Sequence, residues 1–230
     1  MILVGKRRIE QKKADKAHPE RGICAMNFLK VLNCQLNSIM KYTNSSFVSC
    51  TILSPNHSGQ RTHEIDRITP HCAVGQESAE TIGKIFAPLS RQASCNYGIG
   101  RDGRVVLVVE EKNRSWCSSS RENDQRAIAI EVASDDTAPY AFGDEAYAAL
   151  IALCVDILKR YDKKKLLWLG DKERTLAYTP SQDEMVLTVH RWFANKSCPG
   201  DWMYARMGEL ASRVTAALSG GSPDQPGVKI

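Results

Sequence analysis

The sequence predicts an α/β protein with one domain over roughly residues 45–218. Three observations predict it. Short apolar runs alternate along the chain with segments whose apolar residues recur at helical spacing, the pattern of strands interleaved with helices. A length of 230 residues fits one domain with a tail. With 43% hydrophobic and 25% charged residues, the chain can bury a real core in water.

The elements follow in order. HEIDRITPH (63–71) has apolar residues at 65 and 68 and reads as a strand that stops at Pro70 and runs into a loop. SAETIGKIFAPL opens on a capping pattern, Ser78 to Thr81, with Glu80 one residue short of the ideal place. Apolar residues at 79, 82, 85 and 86 continue it as a helix. NYGIGRDGRVVLVVE reads as a hairpin, a short strand, an Asp-Gly turn and the apolar run Val105 to Val109. RAIAIEVA (126–133) is a buried strand carrying one acid, Glu131. Apolar residues at 147, 150, 151, 154, 157 and 158 mark a long amphipathic helix from Asp144 to Tyr161. KKLLWLG and MVLTVH are two further strands, and DWMYARMGELASRVTAAL is a closing helix.

Charge and cysteine content narrow the class. A net charge of +5 would suit an acidic polymer such as a cell wall or nucleic acid, but so small an excess is ordinarily a solvated basic surface. The eight cysteines form no CxxC and have irregular gaps, which argues against a cysteine-only zinc finger or a small disulfide framework. They read as reduced, with Cys72 and Cys154 as small buried hydrophobes. No run approaches the roughly 18 apolar residues of a membrane span. ICAMNFLKVLNC is broken by Asn27, Lys30 and Asn33 and makes a poor signal-peptide core. The expectation is a basic, weakly structured extension at 1–39, a catalytic domain at 40–218, and a flexible linker or tail at 219–230. It is also a monomer made in the cytoplasm without a signal peptide, with no nucleic-acid or membrane partner.

The loop HRWFANKSCPG (190–200) gathers an imidazole, an amine and a thiol. A surface turn, a cysteine nucleophile with a nearby base, and half of a metal site all fit that composition. Eight residues separate His190 from Cys198, and Pro199-Gly200 favours a loop that folds back so both side chains meet one ion. A catalytic zinc takes three protein ligands and leaves one position open. His71, at a strand-to-loop junction, is the natural third; His18, His57 and His63 lie in polar or basic stretches. A lone strand-end histidine is otherwise often only hydrogen-bonded.

ITPHCAVG, SCNYGIGRDGRV, RSWCSSS, RAIAIEVA and VHRWFANKSCPG stand in the order and approximate spacing of the zinc-dependent N-acetylmuramoyl-L-alanine amidases. The chain resembles this type 2 amidase family, which includes the peptidoglycan recognition proteins. Its wording is most like endolysins of phages and prophages of clostridia and related Gram-positive bacteria. The resemblance spans about residues 45–215. It implies a central mixed β-sheet flanked by helices, one Zn2+ ion and peptidoglycan as substrate. The bond cut is the amide between the lactyl group of N-acetylmuramic acid and L-alanine. A phage endolysin of this kind would reach the wall by holin-dependent release.

Carried over position by position, the resemblance implies His71, His190 and Cys198 as zinc ligands, and Lys196 and Tyr97 as catalytic groups. Glu131 matches a strand-end glutamate used by some members. Zinc would lower the pKa of water from 15.7 toward ~7, while the thiolate softens the metal. Lys196 and Tyr97 would face the oxyanion, a role worth about 10²–10³ in rate per donor. Glu131 would accept the water proton or be held by a backbone or arginine partner. Trp116 and Trp192 would line a sugar or peptide groove or belong to the core. Arg191 would grip stem-peptide carboxylates or form an ion pair. Many members have Trp-His where this chain has Trp116-Cys117. Two other functions compete. A non-catalytic peptidoglycan-binding module would have lost the third ligand, and Cys198 is intact. A metal-independent cysteine amidohydrolase usually places its nucleophile upstream of the histidine, at a helix N-terminus.

Overall fold

The computed structural model describes residues 42–220; the extension read at 1–39 and residues 221–230 of the tail lie outside them. The elements are β1 (Val48–Thr51), β2 (His57–Gln60), β3 (Arg67–Cys72), α1 (Ala79–Phe86), β4 (Tyr97–Ile99), β5 (Val105–Leu107), β6 (Asn113–Ser115), α2 (Arg121–Arg126), β7 (Ala127–Val132), α3 (Asp144–Arg160), β8 (Lys165–Leu167), α4 (Lys172–Ala177), β9 (Glu184–Leu187) and α5 (Asp201–Leu218). Seven strands form one sheet in the order β1-β5-β4-β7-β3-β9-β8. Only the β4–β5 hairpin is antiparallel, so the sheet is mixed. A separate antiparallel ribbon, β2–β6, stands beside it.

Helices cover both faces of the sheet, which is why β7 is a near-continuous apolar run and β3 is buried along its whole length. On one face Leu150, Leu153 and Ile157 of α3 and Met203, Met207 and Leu210 of α5 pack on Ile68, Ile128, Ile130 and Val132. On the other, Ile82 and Phe86 of α1 pack on Val106 and Ala129. Ser78 caps α1 by accepting from the Thr81 N–H at 3.1 Å, as the capping pattern predicts. Gly98 allows this contact: a Cβ there would lie 2.5 Å from Ile82 Cγ2 and 2.8 Å from Val106 Cγ1.

Pro70 does not end the strand. β3 stays paired with β7 through Pro70↔Ile130 to Cys72↔Val132, whereas β9 pairs it only at Arg67 and Ile68. The proline therefore sits where β3 has one paired neighbour, a position that tolerates a missing N–H.

The segment entering β1 is tied to a buried polar cluster. Glu111, wholly buried, accepts from the hydroxyls of Tyr97 at 2.5 Å and Tyr161 at 2.7 Å and from Arg160 at 2.6 and 2.8 Å. Around it, the Glu111 N–H donates to Asn44 Oδ1, the Ser45 N–H to the Tyr97 hydroxyl, and Arg160 to the Thr43 carbonyl. A protein begun at Met40 keeps these contacts, so its thermal midpoint and activity should match the full chain. One begun at Phe47 exposes or orphans them, each buried polar group costing about 1–3 kcal/mol. Its midpoint should fall by several degrees; equal midpoints for the two truncations would show that the cluster does not hold the domain.

Candidate active site

Three parallel strands, β7, β3 and β9, deliver the site at their carboxyl ends, where open α/β sheets generally bind ligands. His71 and Glu131 are register partners on adjacent strands and point to the same face. Below them on that face Thr69, Thr188 and Asn123, all buried, bond to one another at 2.7–3.1 Å and fix the layer on which the site rests. His190 follows β9 in a 3₁₀ turn, His190–Trp192.

The loop then folds back, as its composition predicts. The Arg191 N–H donates to the Cys198 carbonyl at 3.1 Å, and the Arg191 guanidinium donates to the Ser197 carbonyl and to Asp201 Oδ1 at 2.9 Å. Gly200 lets the loop close on the turn before α3. Its φ is +85°, and a Cβ would lie 2.7 Å from the Pro139 carbonyl. Cys198 Sγ thus comes within 3.2 Å of His71 Nδ1, and the rings of His71 and His190 lie 5.1 Å apart. One ligand atom from each of His71, His190 and Cys198 falls within 4.8 Å of the others.

The electrostatics suit a cation. Burial and then His190 hold His71 well below the ordinary histidine range, and burial and then Lys196 lower His190, so both rings are neutral donors. The hydrogen-bonded thiol of Cys72, with burial, pushes Cys198 up. Burial pushes the Glu131 carboxyl up to about 8, helped by Cys72. Glu131 Oε1 lies 3.9 Å from His71 Nδ1, while Glu131 Oε2 and His71 Nε2 are buried without hydrogen-bond partners. Buried polar atoms without partners ask for a polar occupant. Two imidazoles and a thiol are donors that zinc accepts, and on these grounds the residues fit it.

The remaining expectations divide. Lys196 is exposed and lines one cavity of about 570 Å³ with His190, Glu131 and the half-buried Trp116, whose indole N–H donates to Ser58 Oγ at 2.7 Å. Tyr97 is elsewhere. It pairs with Ile130, one residue before Glu131, and so points to the opposite face of the sheet. There it is fully buried and bound to Glu111, with its phenol held protonated by burial and that neighbour. This corrects the expected oxyanion role. Arg191 is likewise spent on Ser197 and Asp201, with its guanidinium 4.7 Å over the Tyr204 ring, and is a brace for the loop. Trp192 is 9% exposed and stacks on Trp168 at 5.1 Å and 6°, so its indole belongs largely to the core. Its rim lines a second cavity, beside Phe193 and Lys172.

Sequence reasoning missed two neighbours. The Cys117 thiol donates to Glu131 Oε1 at 3.8 Å, and Ser119 Oγ lies 3.1 Å from His190 Nε2. RSWCSSS contains both, but spacing alone assigned neither a partner.

A mixed sheet that gathers two histidines, a cysteine and a half-buried glutamate at its carboxyl edge defines a candidate metal site. Residues 61–201 match the family described as N-acetylmuramoyl-L-alanine amidase, and the chain belongs to that family. No curated protein matches it. Among solved structures, PlyL is similar with a TM-score of 0.51 at 13% identity, covering 71% of this chain and 94% of that one. A point mutant of PlyL gives 0.51 at 14%, covering 72% and 97%. The endolysin amidase LysCS from Clostridium intestinale gives 0.43 at 14%, covering 68% and 91%. The PlyL likenesses show the shared mixed α/β fold. Among the described residues no helix is long and apolar enough to cross a membrane.

Proposed function

We propose that this amidase is zinc-dependent, that His71, His190 and Cys198 hold the ion, and that it hydrolyses the lactyl–L-alanine amide of peptidoglycan as a phage or prophage endolysin. The observation that carries the reading is the convergence of those three donors beside the half-buried carboxyl of Glu131. Zinc, when bound, would polarise the scissile carbonyl and acidify a water. Glu131 takes the proton of the attacking water and passes it to the departing amine of L-alanine. Lys196 places its charge toward the oxyanion that develops on the lactyl carbonyl. Trp116 and the ribbon behind it form one wall of the substrate cavity. The bond broken is C–N; the products are a lactyl carboxylate and a free alanine amine.

Digestion of purified peptidoglycan should therefore release new N-terminal L-alanine and no new reducing sugar ends. Glycoside hydrolysis generally uses two carboxyl groups about 5–9.5 Å apart. Reducing ends that rise in step with turbidity loss would replace the amidase reading with a glycosidase.

A further inference from the structure

Arg191 is committed to the loop, yet the cavity beside Glu131 carries three other guanidinium groups: Arg91 after α1, Arg114 on β6 and Arg121 at the start of α2. Among the described residues none has a carboxylate within ion-pair distance. Arg91 lies over the Phe86 ring at 5.6 Å, and Arg114 donates to Ser58 Oγ while its Nε is buried without a partner. Asp124, the other acid in the lining, is occupied. Its oxygens accept from the Cys117 N–H at 3.2 Å and from the Ser118 N–H and hydroxyl at 3.0 and 2.6 Å. Arg121 disfavours the charge on Arg114, which Asp124 offsets only from beyond ion-pair distance, so guanidinium groups lining one cavity are neutralised best by an anion with planar, paired oxygens.

We propose that Arg91, Arg114 and Arg121 are specificity-determining residues that read a free carboxylate on the peptide stem. The inference rests on the amidase reading above. In a muramyl peptide the second residue is D-glutamate joined through its γ-carboxyl, so its α-carboxylate is the first anion beyond the scissile amide. Two extended residues span roughly 7 Å. A sphere of the cavity's volume is about 10 Å across, enough to hold that stretch between Glu131 and the arginines. Stems whose α-carboxylate is amidated offer a neutral group there and leave the charges unpaired, so they are poorer substrates.

The test uses the zinc-loaded full chain and two synthetic muramyl tripeptides that differ only in carboxylate against carboxamide at the second residue. Wild type should cleave the carboxylate form with about tenfold or greater kcat/KM, the scale of one charge-assisted contact. In Arg91→Gln and Arg121→Gln, both exposed positions, the ratio should collapse toward one. Calorimetric titration with the product tripeptides reads the same preference without turnover. Equal wild-type kcat/KM and equal product affinities for the two forms overturn the inference and leave the amidase reading standing. A preference that survives in the double variant removes these arginines from it. Cleavage of neither tripeptide overturns the amidase reading, and this inference falls with it.

Discussion

Cys198→Ser is expected to empty the metal site and abolish wall lysis while the protein stays folded. The hydroxyl is a far poorer ligand than a thiolate, and losing the metal forfeits several kcal/mol of transition-state stabilisation, more than about a hundredfold in rate. Atomic emission should read near one zinc per chain in wild type and near none in the variant, with unchanged circular dichroism. Stoichiometric zinc and a near-normal rate in Cys198→Ser would remove Cys198 from the ligand set. Chelation of the wild type separates the rival chemistry. Full turnover in a zinc-free protein would make Cys198, 3.2 Å from His71 Nδ1, a nucleophile instead.

Glu131→Gln is expected to lower kcat by about 10²–10⁴, the range for a positioned proton carrier, with zinc retained. The side chains are nearly isosteric, and the amide removes a buried carboxyl that burial already disfavours as an anion, so the melting temperature should hold or rise. Lys196→Ala should cost about 10²–10³ with the same metal content. Zinc lost from either variant would move that residue from catalysis to the structure of the site.

Most of the sheet was legible because strands buried on both faces and amphipathic helices leave opposite apolar periods. β3, β7, β9, the β4–β5 hairpin, α1, α3 and α5 all fall on segments read from the sequence. The short pieces β1, β2, β6, α2 and α4 were not legible, since polar segments such as His57–Gln60 and Asn113–Ser115 carry neither an apolar run nor a period, whereas the equally short β4, β5 and β9 sit in apolar runs. Yet β6 and the residue after it supply Arg114 and Trp116 to the cavity wall, and Ser58 of β2 holds both by accepting their hydrogen bonds.

The sequence by itself determined the α/β class, the two histidines at strand ends, and a loop able to bring Cys198 back to them. Local pattern suffices for these because period, Pro-Gly chemistry and family wording are all written along the chain. Tertiary structure alone decided which groups face the chemistry. Tyr97 differs from its neighbour Gly98 by one step of a period-two strand, and Gly98, not Tyr97, is paired with Glu131. Arg191, adjacent to a donor, is drawn away by Asp201 and Tyr204, while Arg91, Arg114 and Arg121 converge from three separate elements. Side-chain direction and the competition among partners for a charge are properties of packed neighbours, and a linear sequence does not carry them.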